Sequence, residues 1–173
     1  MFDLNQLTGA LARYAGGSGQ QPPESVHADF DEVSQKVPPG TLAEGIGHAF
    51  RSNQTPPFSQ MISQLFRNGN GQQKAGLLNV LLSAIGPSGL SGTGGALSGL
   101  MGMLGSGQSQ FGASQAAQVS PEVVEQLAHH AEQQNPSAID QVSQFVTQHP
   151  DWVKTLGSGA LSLALSRMAG QHA

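Results

Sequence analysis

Residues 55–86 read TPPFSQMISQLFRNGNGQQKAGLLNVLLSAIG. Phe58, Met61, Ile62, Leu65 and Phe66 fall at i, i+3, i+4, i+7 and i+8, the spacing of a helix with a single apolar stripe. Thr55 before Pro56 predicts an N-cap followed by the first helical position, where the proline's missing N–H is no loss. NGNG (68–71) interrupts the pattern. Residues 75–86 are apolar nearly all round, which predicts a buried central helix. No stretch alternates apolar and polar residues as a half-buried strand would, so the chain is predicted to be all-α.

The same pattern extends in both directions. Leu4, Leu7, Leu11 and Tyr14 mark one stripe of an amphipathic N-terminal helix, followed by the linker sequence GGSGQQPPE (16–24). Asp29 and Glu32 form a D-x-x-E capping pattern around Phe30, Val33 and Val37; Thr41 and Glu44 form a second before Ile46, Ala49 and Phe50. Ser120-Pro121, Asn135-Pro136 and Pro150 each open a further helix. The last of these carries the apolar set Trp152, Val153, Leu156, Ala160, Leu161, Ala164, Leu165 and Met168.

The two halves also match one another. Val37/Val119, Pro39/Pro121, His48/His130, Ala49/Ala131 and Asn53/Asn135 align, and after a short gap so do Pro56/Pro136, Ser63/Ser143, Gln64/Gln144, Lys74/Lys154, Leu81/Leu161 and Ala84/Ala164. The expected architecture is two pseudo-repeated three-helix units, 29–86 and 119–173, joined by a Gly/Ser-rich apolar connector, 87–118. An N-terminal helical arm (1–15) precedes them on a linker (16–28). Within the connector, Leu97, Leu100, Met101 and Leu104 fall at helical spacing and predict a short helix over 95–105.

Composition narrows the function classes. The 173 residues carry 11 acidic and 7 basic side chains, a formal charge of −4. Charged residues make up 10% of the chain, against about 25% in ordinary soluble domains. Without a basic excess, nucleic acid is not an expected partner. The absence of cysteine excludes disulfides, thiolate metal sites and cysteine nucleophiles. The start of the chain has Asp3 where a signal peptide wants a cation. The apolar runs LLNVLLSAIG and ALSGLMGML fall short of the roughly 20 residues that span a bilayer. A cytoplasmic location is therefore expected.

The chemistry-bearing motifs G-x-S-x-G, G-x-G-x-x-G and G-x-x-x-x-G-K-[ST] are absent from the sequence. Glu125, His129 and Glu132 share one helix face at i, i+4 and i+7. A metal centre of that kind needs a second helix to supply ligands, and no obvious second contributor is apparent, so the face reads as solvated. His48 and His130 hold equivalent positions and read as packing residues. No catalytic residue, metal or cofactor is expected.

Charge distribution is more informative. Between 45 and 121 the only charges are Arg51, Arg67 and Lys74; between 122 and 151 they are Glu122, Glu125, Glu132, Asp140 and Asp151. Opposite signs on the two halves favour head-to-tail contacts between copies, which close into rings or run on as filaments. The expected function is thus a non-enzymatic, self-assembling structural or scaffold protein whose partner is itself. Its expected interface comprises Leu4, Leu7, Leu11, Tyr14, Leu97, Leu100, Met101, Leu104, Arg51, Arg67, Lys74, Glu125, Glu132 and Asp140. One alternative is association with a membrane surface through 76–104, although that segment lacks the Lys/Arg face of interfacial helices. The other is a module binding a small apolar ligand.

Overall fold

The computed structural model describes residues 9, 12, 14, 15, 23–89, 95–105 and 107–171, and among them there is no strand. The helices are α1 (Pro23–Lys36), α2 (Pro39–Arg51), α3 (Phe58–Asn68), α4 (Gly71–Gly89), α5 (Gly95–Leu104), α6 (Ala113–Ala116), α7 (Pro121–Gln134), α8 (Ala138–Thr147), α9 (Pro150–Val153) and α10 (Ser158–Gln171). A 3-10 turn, Lys154–Leu156, follows α9. No helix among the described residues is long and apolar enough to cross a membrane.

The stripe on α3 is buried as its spacing requires: Phe58, Met61, Ile62, Leu65 and Phe66 are all at most 2% exposed. Its start differs from expectation. Thr55 does not cap α3; its hydroxyl lies 2.6 Å from Ala49 O and 3.0 Å from Ser52 O, donating to the end of α2. Of the two N–H groups that an N-cap oxygen can accept from, Pro57 removes one, and the hydroxyl bonds the end of α2 instead. At the start of α4, Asn70 and Gln73 bond each other's backbone N–H reciprocally, both at 2.9 Å. Helical geometry in α4 breaks at Gly86, whose φ of 71° favours glycine. The helix is buried on one side only. Leu77, Leu78 and Leu81 are sealed, whereas Leu82 is half-buried and Ser83 exposed.

Two other expected starts move, and one expected helix is split. α1 begins at Pro23, so Asp29 lies within it and is buried, accepting a 2.8 Å hydrogen bond from the Tyr14 hydroxyl. α2 begins at Pro39 without a side-chain cap, and Glu44 instead accepts from the Gln171 amide. The final apolar set is split over α9, the 3-10 turn and α10, because Gly157 adopts φ 90°. Ser120 behaves as expected, accepting from Val123 N at 3.4 Å to open α7.

The chain forms two compact units. A continuous unit spans Phe58–Phe145; a split unit holds the described residues of Met1–Pro57 and Val146–Ala173, and the division runs through α8. In the continuous unit α3 packs on α7, which also meets α4 and α5, while α6 packs on α4. Asn79 pins this arrangement: its amide donates to Phe111 O at 3.2 Å and its carbonyl accepts from Phe111 N at 2.7 Å. Phe145 packs tightly on Gly76, where a methyl would stand 2.7 Å from ring Cε2 and closer still to Cζ. In the split unit α10 packs on α2 and α1. A methyl on Gly45 there would sit 2.9 Å from Ala164 O.

The expected pseudo-repeated units each drew on one half of the chain, whereas the compact units mix the halves. Ile139 and Val142 are buried in the continuous unit, Leu161 and Leu165 in the split one. Helical periodicity fixes which face of a helix is apolar, not which helix covers it.

Lys154 ties the split unit together at its surface. Its ammonium lies 2.9 Å from Asp31 Oδ1 on α1 and 2.8 Å from Asp151 Oδ1 on α9. The bonds to Asp151 and then Asp31 hold the lysine above its ordinary pKa of 10.5, and the bond to Lys154 holds Asp151 below its ordinary 3.8. The raised lysine stabilises the fold fully below its unfolded pKa, and that contribution is lost as pH rises through the folded value. The depressed Asp151 stabilises it above 3.8, and that contribution is lost as pH falls through the lowered value.

Lys154→Met should therefore lower Tm at neutral pH and low salt. The gap from wild type should shrink below pH 3.8, above pH 10.5 and in high salt. A gap that is the same at every pH would show that the ion cluster contributes nothing. In the cores, Leu81→Ala and Leu161→Ala should each cost about 2–5 kcal/mol by denaturant unfolding. Gly76→Ala should cost about 1–3 kcal/mol through overpacking on Phe145. Gly159→Ala, with nothing within 4 Å of the added methyl, should instead stabilise by up to about 1 kcal/mol.

Candidate functional site

The N-terminal turns of α7 present Glu122, Glu125, Gln126 and His129 at i, i+3, i+4 and i+7, one helical face. The opposite face of α7 buries Val124, Leu127, Ala128 and Ala131, so the core dictates where the polar stripe points. Ser59, in the first turn of α3, meets this stripe, and the five residues line a cleft of about 440 Å³ within the continuous unit. Glu122 and His129 are exposed and Glu125 is half-buried. Neither carboxylate has an ion-pair partner among the described residues.

Gln133 Nε2 lies 2.9 Å from His129 Nε2. An amide N–H donates there only to a ring nitrogen that carries no proton. Among the described residues no three His, Asp or Glu side chains converge as a metal-binding set. Glu132, expected beside Glu125 and His129, does not line the cleft; Glu122 and Ser59 take its place. The spacing of Glu122 from Glu125 and His129 was legible as a helical face, but Ser59 comes from another helix and carries no sequence signal of its own.

A second cleft, of about 550 Å³, lies elsewhere in the continuous unit, between α4, α5 and the segment 108–110. Leu82, Met101 and Leu104 supply its apolar wall; Asn79, Ser83 and Gln108 are among its polar groups, and no charged side chain lines it.

The residues expected at an assembly interface are dispersed. Leu4, Leu7 and Leu11 lie outside the described residues, as does the side chain of Leu97. Tyr14 is 3% exposed and bonded to Asp29 of its own chain. Leu100 and Leu104 are buried as α5 packs on α7, and Met101 stands out at 47% exposed. Arg51, Arg67 and Asp140 are exposed, while Glu125 and Glu132 are half-buried. Lys74 places its ammonium 5.3 Å from the centre of the Phe66 ring, a cation–π contact. Of the equivalent histidines, His48 is exposed and His130 half-buried, so they share no packing role. No protein-family model, curated protein or solved structure matches the chain.

Proposed function

We propose that the chain is a non-enzymatic helical protein that assembles with copies of itself. The outward face of α5 carries this reading. A surface helix ordinarily turns charged side chains to water. α5 turns out Gly95, Ser98, Gly99, Met101 and Gly102 instead, while Leu100 and Leu104 face inward. Its only side-chain hydroxyl, on Ser98, bonds back to Gly95 O at 2.8 Å. A face so free of hydrogen-bonding side chains gains by being covered, and its glycines permit close approach of another helix.

A diverged duplication is part of the proposal. The matched apolar positions have matched burial: Val37 and Val119 are both 7% exposed, Ala49 and Ala131 1% and 0%, Leu81 and Leu161 0% and 1%. In that register α2 corresponds to α7 and α4 to α10, and α2 packs on α10 while α7 packs on α4. A half-length ancestor pairing with its own copy accounts for that reciprocity.

The uncharged cleft gives the small-ligand reading a specific footing, since neutral polar groups beside Leu82 and Met101 suit an uncharged amphiphile. Light scattering across a concentration series should report masses above the 17.9 kDa monomer. Met101→Glu should weaken association about tenfold. A monomer at every concentration would end the assembly reading. Flotation with neutral or anionic vesicles would mark the α5 face as membrane-binding instead. A neutral long-chain alcohol that raises Tm in wild type but not in Leu82→Arg would favour the ligand reading.

A further inference from the structure

We infer that the cleft lined by Ser59, Glu122, Glu125, Gln126 and His129 receives the Arg67 guanidinium of a second copy, so that copies join head to tail. The inference rests on the assembly reading and assigns it a second contact, distinct from α5.

The first observation concerns Ser59. Among the described residues the buried polar side chains are Asp29, Ser59, Ser63 and Ser143. Asp29 accepts from Tyr14, Ser63 donates to Gln60 O at 3.0 Å and Ser143 to Ile139 O at 2.7 Å. Ser59 is 7% exposed, and its hydroxyl makes no hydrogen bond among the described residues. Every fully enclosed side-chain nitrogen or oxygen among them does have a partner. The Ser59 hydroxyl is therefore not sealed in the core but opens onto the cleft that it lines. The hydroxyl is thus uncommitted within its own chain and available to a group that enters the cleft.

The second observation is the chemistry around it. Glu122 and Glu125 supply carboxylate oxygens, Gln126 an amide oxygen, Ser59 a hydroxyl and His129 an imidazole, and no lysine or arginine lines the cleft. Each of these groups can accept hydrogen bonds from a cation that enters the cleft. A guanidinium, planar with five N–H donors, matches it better than the compact ammonium of lysine.

The third observation supplies the occupant. Arg67, at the other end of α3, is exposed and has no ion-pair partner among the described residues. Beside it Lys74 lies over Phe66, so this end of the continuous unit is basic. Ser59 and Arg67 stand eight residues apart on α3, about 12 Å of helix. That separation exceeds both ion-pair reach and the roughly 8 Å screening length at physiological salt. The two ends therefore do not neutralise each other within one copy. Each copy therefore presents a basic end, with Arg67, and an acidic cleft at opposite ends of α3, which is the requirement for a heterologous contact.

The experiment uses the full chain at low salt, with mass measured by sedimentation over a concentration series and folding checked by circular dichroism. Arg67→Glu alone, and Glu122→Lys with Glu125→Arg in another chain, should each weaken self-association about tenfold or more. Mixing the two variants should restore association, since each cation then meets an acidic cleft and each anion a basic one. Arg67→Lys should fall between wild type and Arg67→Glu, because it keeps the charge and loses the fork. Wild type that associates with all variants unaffected would overturn this contact and leave the assembly reading standing. Loss in both variants without recovery on mixing would also overturn it. Wild type that remains monomeric throughout would overturn both.

Discussion

Burial of the α3 stripe against α7 is the contact from which the continuous unit follows. Phe58, Met61, Ile62, Leu65 and Phe66 find most of their cover on one flank of α7, which offers Val124, Leu127, Ala128 and Ala131. Once that seam closes, the rotation of α7 about its own axis is set. Its remaining surface is then shared between α4, α5 and solvent. The acidic cleft is the solvent edge of this same seam: the core residues and the polar stripe alternate along one helix, so the first cannot be buried without aiming the second. The placement of Glu122, Glu125 and His129 is thus a by-product of hydrophobic packing rather than of any polar attraction.

Low charge density has a counterpart in the close helix contacts. With few charged side chains and many glycines, small residues can sit at crossing points. Gly76 admits the ring of Phe145, and Gly45 admits the backbone of α10. Where helices approach this closely, dispersion contacts replace the ion pairs that the composition withholds. In the split unit Lys154 reaches two carboxylates from two helices, and Lys36 pairs with Glu32 along α1.

What the sequence made legible follows from what local physics determines. The stripe of α3, the Ser120 cap and the break at Gly86 depend on residues within a turn or two of one another. Thr55, Asp29 and Glu44 were misread because each finds a partner other than its own helix start: the end of α2, Tyr14 and Gln171. Each is a competition between a local cap and a more distant group, and spacing alone does not decide it. The pairing of α2 with α10 is illegible for the same reason on a larger scale, since an apolar face specifies that it be covered but not by what. In the acidic cleft, the stripe on α7 could be read from its period, whereas Ser59 joins it only through the α3–α7 packing.

The discontinuity of the split unit bears on how the chain is made. Translation delivers α2 before the whole continuous unit and its covering helix α10 after it. Residues 58–145 can condense while the ribosome is still at work, using contacts close in the chain. Leu42, Ile46, Ala49 and Phe50 must wait for α10. During that interval α2 is an apolar surface without its cover, flanked only by Glu44, His48 and Arg51 on its polar side. The nascent chain is therefore most vulnerable to aggregation and to chaperone capture at α2 until Leu161, Leu165 and Met168 emerge to close over it.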